Sequence, residues 1–134
     1  VKKEDKNVRR TVINSIVGTL DLSVRQFMQG ETYPGEMKRR FHVFGSLGPF
    51  DSHKYAYVSN LCVAKFARRQ GIASNMLHLA RDVAAKAGLE RIFVHVNADN
   101  DAAQALYEKT GFKVFVESSS PNRNNPRILM FMNL

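Results

Sequence analysis

The sequence holds one cysteine and no tryptophan among its 134 residues. The lone cysteine, Cys62, excludes an internal disulfide framework, so we expect the protein to work in a reducing compartment. No apolar run approaches the ~20 residues that a helix needs to cross a bilayer, so no membrane partner is predicted. Acidic residues are scarce: 12 Asp and Glu stand against 20 Lys and Arg, a formal net charge of +8.

The positive charge is spread along the chain. Basic residues occur in separate groups at residues 2–10, at Lys38–Arg40 and at Arg68–Arg69. No RNA-recognition aromatic signature, zinc-finger spacing or helix-turn-helix pattern surrounds them. An anionic cofactor is the simpler explanation, and a nucleic-acid partner is not expected. No metal site is predicted, because no carboxylate or cysteine cluster accompanies His42, His53 or His78.

The first half of the chain predicts one strand followed by a long loop. Residues 16–24 alternate as a half-buried antiparallel strand does, with the inward positions at Ile16, Gly18, Leu20, Leu22 and Val24. Glycine and proline gather between residues 28 and 52, which predicts a loop with a short ordered piece at Phe41–Phe44. Loops of this length in a compact domain are often functional.

The second half alternates strands with helices. Tyr55–Val63 is interpreted as a central strand, and Ile92–Val96 is a shorter apolar strand. Between them a helix is predicted to run to about Ala87 and to end at Gly88, with an apolar stripe at Ile72, Met76, Leu79, Ala80, Val83, Ala84 and Ala87. This order predicts a right-handed βαβ unit with parallel strands.

A second helix and two more strands complete the pattern. Asn100 is the predicted N-cap of a helix that ends at Gly111 and turns Ala103, Leu106 and Tyr107 inward. The remaining predictions are a strand with Phe112, Val114 and Val116 inward, a polar loop at Ser118–Arg127, and a last strand at Ile128–Met132 that forms an antiparallel hairpin with its predecessor. The fold class is α/β, with helices packed on a mixed central sheet in one domain, residues 1–134.

The turn before the first helix carries the clearest functional signal. It consists of Arg68, Arg69, Gln70, Gly71, Ile72, Ala73 and Ser74. A strand, a tight turn and a helix in this order direct backbone N–H groups and the helix dipole at phosphate oxygens. Gly71 lets the backbone approach a ligand closely, and two arginines add positive charge. The turn therefore predicts a site for a ligand that carries a pyrophosphate.

Two further segments lie at matching distances from this turn. The strand before it ends in Leu61, Cys62 and Val63, the turn matches Gln/Arg-x-x-Gly-x-Gly/Ala, and Asn100–Ala103, Leu106–Tyr107 and Gly111–Phe112 follow in one block. Together they resemble the GCN5-related N-acetyltransferase (GNAT) superfamily over about residues 54–134, with weaker support from the strand at 16–24. In detail they are similar to the plant plastid members, which acetylate protein N-termini and lysines.

The resemblance implies an acyl-CoA N-acyltransferase fold whose acetyl-CoA-binding core spans residues 54–111. The implied cofactor-binding positions are Leu61, Cys62, Val63, Arg68, Arg69, Gln70, Gly71, Ile72, Ala73, Ser74, Asn100, Asp101, Ala102 and Tyr107. Tyr107 is also the implied proton donor to the departing thiolate. Tyr57 and His95 fall where similar N-terminal acetyltransferases place the groups that deprotonate the amine. Aminolysis of a thioester needs such a base and such an acid.

Structural interpretations remain open beside these roles. Tyr107 and His95 also suit a buried core, and helix capping alone accounts for Asn100. One of the two arginines in the turn is expected to be a solvated surface charge. Cys62 is interpreted as a small core residue.

The implied activity is transfer of the acetyl group of acetyl-CoA to the N-terminal α-amine or a lysine ε-amine of a protein. A small-amine (polyamine-type) acetyltransferase and a non-catalytic acyl-CoA-binding module stay as alternatives. The superfamily begins with a strand and two helices that cover one side of the acceptor groove. This chain is expected to lack them before Ile16, which affects the acceptor site more than the cofactor site. The resemblance implies a chloroplast location, and otherwise a cytoplasmic one.

Overall fold

The computed structural model describes residues 16–35, 53–116, 124 and 126–134. The described elements are, in order, β1 (Gly18–Gln26), β2 (Lys54–Val63), α1 (Ile72–Lys86), β3 (Arg91–Asn97), α2 (Asp101–Lys109), β4 (Lys113–Val116) and β5 (Arg127–Asn133). Neither helix is long and apolar enough to cross a membrane. The predictions for Phe41–Phe44 and for most of Ser118–Arg127 lie outside the described residues.

The strands form one mixed sheet in the order β1-β2-β3-β5-β4. β1 runs antiparallel to β2, and β2 runs parallel to β3 across the crossover helix α1. The predicted βαβ unit and the predicted hairpin of the last two strands are both confirmed. β5 also pairs antiparallel with β3, so it lies between β3 and β4, a position that the sequence pattern did not reveal.

The two parallel strands separate at their carboxyl ends. Their pairing joins Ala56–Val58 to Ile92–Val94, although both strands continue beyond these residues. A bulge on β2, opposite Thr19 and Asp21 of β1, shifts the register of this pair, and Asn60 of β2 has φ +52°. The Asn60 amide donates to the Asp21 carboxylate over 2.7 Å, which fixes this irregular point. A cleft therefore opens between β2 and β3 where they leave the ladder.

Each face of the sheet carries its own hydrophobic cluster. The first face holds both helices, whose buried side chains are Leu77, Ala80, Ala84 and Tyr107. The second face is largely aromatic: Tyr55, Tyr57, Phe93 and Leu129 are buried there, and Phe27, Tyr33, Phe115 and Phe131 pack against them. Phe93 is central to this second cluster, with edge-to-face contacts to Phe27, Tyr55 and Phe115.

The predicted apolar stripe of the first helix was partly wrong. Leu79 and Val83 are 64% and 50% exposed, whereas Leu77, which the stripe omitted, is only 1% exposed. The helix is apolar over two adjoining stripes, and periodicity cannot decide which of them faces the sheet. Contact with the sheet selects Leu77, Ala80 and Ala84, which are spaced three and four residues apart.

Two strand predictions need a similar correction. Ile16 is 73% exposed because it precedes β1, and Val24 is 59% exposed because it lies near the end of β1, an edge strand of the sheet. In β4 the inward residue on the aromatic face is Phe115, while Val114 is 43% exposed. A strand with a cluster on each side of its sheet does not reveal its buried face by alternation alone.

Candidate active site

A groove of about 700 Å³ lies beside the glycine turn. Its lining residues are Val63, Ala67, Arg68, Arg69, Gly71, Ile72, Ala73, Ser74, Ala102, Leu106 and Lys109. Three of these side chains are cationic and none is a carboxylate. The groove is therefore suited to an anion that also has an apolar part.

The backbone of the turn adds hydrogen-bond donors to these charges. Gly71 is the N-cap of α1 with φ +78°, and no side chain caps the helix. Asn75 donates to the Gly71 carbonyl, so the N–H groups of Ile72, Ala73 and Ser74 point out of the open end of the helix. A Cβ built on Gly71 meets no protein atom within 4 Å, so the space beside it is open to a ligand. These donors and the helix dipole fit a pyrophosphate.

The two arginines of the turn differ in their contacts. Arg68 Nε donates to the Val63 carbonyl over 2.9 Å, which ties that guanidinium to the end of β2. Arg69 is exposed and takes a left-handed conformation with φ +61°. Both line the groove, so both cations stand beside the open N–H groups.

Sequence reasoning missed part of this groove. Leu106 and Lys109 of α2 line the groove together with Ala102, which lies at the start of the same helix. These three residues are four and three positions apart, so they share one face of the helix. That spacing, combined with the predicted role of Ala102, was the signal that could have found Lys109.

A second cavity of about 320 Å³ occupies the cleft between the separated strands. It is lined by Tyr57, Val58, Ser59, Asn60, Leu61, Val94, His95, Val96, Asn97, Asn100, Ala103, Tyr107 and Arg127. Tyr57 and His95 belong to the aromatic face, and Tyr107 packs in the cluster on the helical face. The cavity thus brings the three predicted catalytic residues together from both sides of the sheet.

Tyr57 and His95 form a hydrogen-bonded pair. The Tyr57 hydroxyl lies 2.5 Å from His95 Nδ1. Burial lowers the pKa of His95 to about 4, and the positive charges of Arg127 and Arg25 act in the same direction. Burial raises the pKa of Tyr57, while the same two cations lower it. At neutral pH the imidazole is therefore uncharged, and Nδ1 can accept a hydrogen bond from the Tyr57 hydroxyl.

Tyr107 reaches the cavity from α2. It is 6% exposed and packs edge-to-face on Phe112, with ring centroids 5.4 Å apart. Burial, with a smaller effect of the nearby Tyr57, raises the pKa of Tyr107 to about 12. The Tyr107 hydroxyl is therefore protonated at neutral pH and can act only as a proton donor or a neutral hydrogen-bond partner.

The predicted cofactor-binding positions outside the groove lie either at the cavity or at neither space. Leu61 and Asn100 line the cavity. The Asn100 side chain also accepts from the Ala103 N–H over 3.1 Å, which confirms the predicted N-cap. Three positions line neither space: Cys62, Gln70 and Asp101. The interpretation of Cys62 as a core residue was wrong, because the thiol is exposed on β2.

The described start of the long loop lies on the aromatic face beside His95. Pro34 is buried there, and Tyr33 packs against Phe115 with ring centroids 5.3 Å apart. Gly35 has φ +79°, and a Cβ built on it would lie 3.7 Å from His95 Nε2. This turn therefore bounds the space next to the imidazole.

Within residues 16–35, 53–116, 124 and 126–134, no group of three or more His, Cys, Asp or Glu side chains could hold a metal ion.

The sequence matches the profile of the Acetyltransferase (GNAT) family over residues 9–112. It is 56% identical to GCN5-related N-acetyltransferase 6, chloroplastic, of Arabidopsis thaliana over 114 residues, which are 85% of this chain and 39% of that protein. It is 43% identical to GCN5-related N-acetyltransferase 7, chloroplastic, of the same plant, over 43% of this chain and 21% of that protein. The chain thus spans well under half the length of these relatives.

The fold has solved counterparts. Arabidopsis thaliana Naa50, solved in complex with the bisubstrate analogue CoA-Ac-MVNAL, matches 88% of this chain and 66% of its own with a TM-score of 0.61. At 19% identity this likeness shows the fold alone.

Proposed function

The chain belongs to the acetyltransferase (GNAT) family, and from this premise we propose that it transfers the acetyl group of acetyl-CoA to an amine of a protein or peptide. The observation that carries the proposal is the cavity between β2 and β3 in which Tyr57, His95 and Tyr107 meet. A peptide acceptor is supported by the peptide-containing ligand of the Naa50 structure.

The groove at the glycine turn is the proposed site of the cofactor phosphates. The N–H groups of Ile72–Ser74 would hold the pyrophosphate oxygens, with Arg69 and Lys109 as nearby cations. The β3-facing backbone of β2 beyond Val58 has no ladder partner on β3, so an extended pantetheine arm can bind Leu61–Val63 as an added strand would. Bound in this way, acetyl-CoA supplies the thioester that is attacked.

The Tyr57–His95 pair is the proposed base. Attack of the amine nitrogen on the thioester carbonyl produces a tetrahedral intermediate with an ammonium group. This ammonium is far more acidic than the protonated acceptor amine, so even a weak base suffices. Tyr57 would take that proton while it passes its own to His95 Nδ1 across their hydrogen bond. The imidazole is available for this step because it is neutral at neutral pH.

Tyr107 is the proposed acid for the opposite end of the reaction. When the carbon–sulfur bond breaks, the thiolate needs a proton, and the buried Tyr107 hydroxyl retains one. A backbone N–H of the unpaired part of β2 can stabilise the oxyanion that forms before the bond breaks. Acid and base then reach the cavity from opposite faces of the sheet.

The charge around the cavity favours a peptide over a small polycation. Arg25 lies over the Tyr57 ring and Arg127 lines the cavity, so the acceptor side is positive. A polyamine would be repelled there, whereas a peptide can present one neutral amine and an acidic or neutral remainder. A plastid location is part of the proposal, since both Arabidopsis relatives are named chloroplastic.

A panel of acceptors tests this function. Matched peptides with a free α-amine, a free lysine, or both groups blocked would be incubated with acetyl-CoA beside a polyamine, and CoA release would be measured. We expect turnover only where a peptide amine is free. Turnover of the polyamine alone would replace the protein acceptor by a small amine. Acetyl-CoA binding without any turnover would identify a binding module.

A further inference from the structure

Arg25 covers the Tyr57–His95 pair from the neighbouring strand. It lies near the end of β1, opposite Tyr55 in the register and diagonal to Tyr57. Its guanidinium carbon is 3.8 Å from the centroid of the Tyr57 ring. Family resemblance did not point to this residue, which precedes the block of motifs and has no special spacing to it.

A second set of contacts holds the guanidinium in place. Arg25 Nε donates to Ser23 Oγ over 3.2 Å, and Ser23 Oγ donates to the Tyr57 backbone carbonyl over 3.4 Å. Ser23 is the residue directly opposite Tyr57 in the antiparallel register. The cation is therefore anchored to the backbone of the same tyrosine whose ring it covers.

A fixed cation at this point acts on both members of the pair. Stacking restricts the Tyr57 ring, and the hydroxyl can meet His95 Nδ1 at 2.5 Å only in a narrow range of ring orientations. A positive charge nearby also disfavours a second positive charge on the imidazole, in addition to the larger effect of burial. We propose that Arg25 is a positioning residue, which holds the Tyr57 hydroxyl on His95 and keeps this pair free to take the proton of the acceptor amine. This role rests on the proposed acetyltransferase function.

Few described groups other than Arg25 can act on the charge or orientation of the His95 imidazole. Among the residues that the structure describes, the charged or titratable groups that share its cavity or shift its pKa are Arg25 from β1, Tyr57 from β2, Tyr107 from α2 and Arg127 from β5. In the turn at Tyr33–Gly35, Gly35 lies beside Nε2 and adds no charged side chain there. Arg25 differs from Arg127 in its contact with the Tyr57 ring, so its removal changes ring orientation as well as charge.

Three variants separate these effects. Arg25→Met removes the charge and the guanidinium but keeps an unbranched apolar stem. Arg25→Lys keeps the charge and removes the planar group. Arg81→Met is the matched control, because Arg81 is exposed on α1, which packs on the other face of the sheet. The measurements are kcat and both KM values as functions of pH, together with an NMR titration of the His95 ring.

For Arg25→Met we expect kcat to fall by about tenfold or more, since base catalysis contributes ~10²–10⁴ in rate. KM for acetyl-CoA should stay at the parent value. The acidic limb of the rate profile and the His95 titration should both move to higher pH. Arg25→Lys should keep the parent titration midpoint while kcat falls, and Arg81→Met should match the parent throughout.

Two results would overturn the assignment. The first is an Arg25→Met variant whose kcat and His95 titration match the parent. The second is a raised acceptor KM with unchanged kcat, which would make Arg25 an acceptor-binding residue. If no protein turns over any acceptor, a His95 midpoint that moves in Arg25→Met but not in Arg81→Met still supports the positioning role, while the proposed activity fails. If Arg25→Met does not fold, Arg25→Gln provides the same comparison.

Discussion

Two tyrosines line the same cavity and differ in what their hydroxyls can do. Tyr57 meets a neutral imidazole, so its proton has somewhere to go. Tyr107 is buried on the helical face, and its pKa of about 12 keeps the proton on the phenol. Identical side chains therefore suit opposite ends of one reaction, because their surroundings differ.

Tyr107→Phe tests the acid role. The substitution removes one oxygen and leaves the packing on Phe112 in place. We expect kcat to fall by ~10²–10⁴, because the thiolate must then leave without a positioned proton donor. Acetyl-CoA binding, measured by calorimetry, should stay close to the parent value. Normal turnover in this variant would remove Tyr107 from the proposed chemistry.

His95 should make stability depend on pH in a defined window. Its pKa is about 4 in the folded protein and 6.5 when unperturbed, so between these values the unfolded state binds more protons. The free energy of unfolding should therefore fall as pH drops from 6.5 towards 4, and this group adds no further loss below that. Urea titrations at several pH values would compare the parent with His95→Asn, which should lack this part of the slope. Equal slopes would mean that His95 titrates as an exposed histidine does.

Gly71 and Gly30 form a matched pair for the phosphate site. Both have φ +78°, and a Cβ on either one meets no protein atom within 4 Å. Alanine at each position should destabilise the fold similarly, by about 1–2 kcal/mol for the left-handed backbone. Only Gly71→Ala should weaken acetyl-CoA binding, by tenfold or more in a calorimetric titration, because its Cβ points into ligand space. Equal binding by both variants would place the phosphates elsewhere.

At the scale of elements, α1 shows how a sheet chooses one face of a helix. Leu77 and Leu79 are two positions apart, yet one is 1% and the other 64% exposed. Leu77→Ala should cost ~2–5 kcal/mol of unfolding free energy, as buried leucines do. Leu79→Ala should change it by no more than ~0.5 kcal/mol. Denaturant titrations measure both, and similar losses would show that the exposed stripe of α1 is covered in solution.

The separation of β2 from β3 is the element-level feature on which the site depends. The strands pair over residues 56–58 and 92–94, then part at the bulge fixed by Asn60 and Asp21. Continued pairing would fill the cleft with backbone and satisfy the groups that an added strand could bind. The irregularity therefore creates both the cavity and its hydrogen-bonding edge.

For the whole molecule, ligand binding should appear as added stability. A ligand that binds only the folded chain stabilises it by ~2.7 kcal/mol at a hundredfold excess over its dissociation constant. Acetyl-CoA should therefore raise the thermal midpoint of the parent, and Gly71→Ala should respond less. Since the chain carries a net charge of +8 and the groove is cationic, added salt should weaken the shift. A folded protein with no shift would contradict the assignment of the groove.

The sequence by itself determined most of the elements and the position of the glycine turn. Strand and helix periods, the Asn100 cap and the glycine turn are local signals, since backbone sterics and hydrogen bonding act within a few residues. They predicted the parallel βαβ unit and the groove at Gly71, and the family resemblance selected Tyr57, His95 and Tyr107. The three residues are far apart in the chain, and their meeting in one cavity follows from the sheet.

Only the tertiary structure decided which apolar faces are buried and what surrounds the reacting groups. Leu77 replaced Leu79 in the core, Cys62 proved exposed, and β5 entered beside β3, which brought Arg127 to the cavity. Arg25 reached the Tyr57 ring through the register of β1 on β2. Such contacts join residues distant in sequence, and their energies depend on packing and dielectric environment, which periodicity and local spacing do not encode.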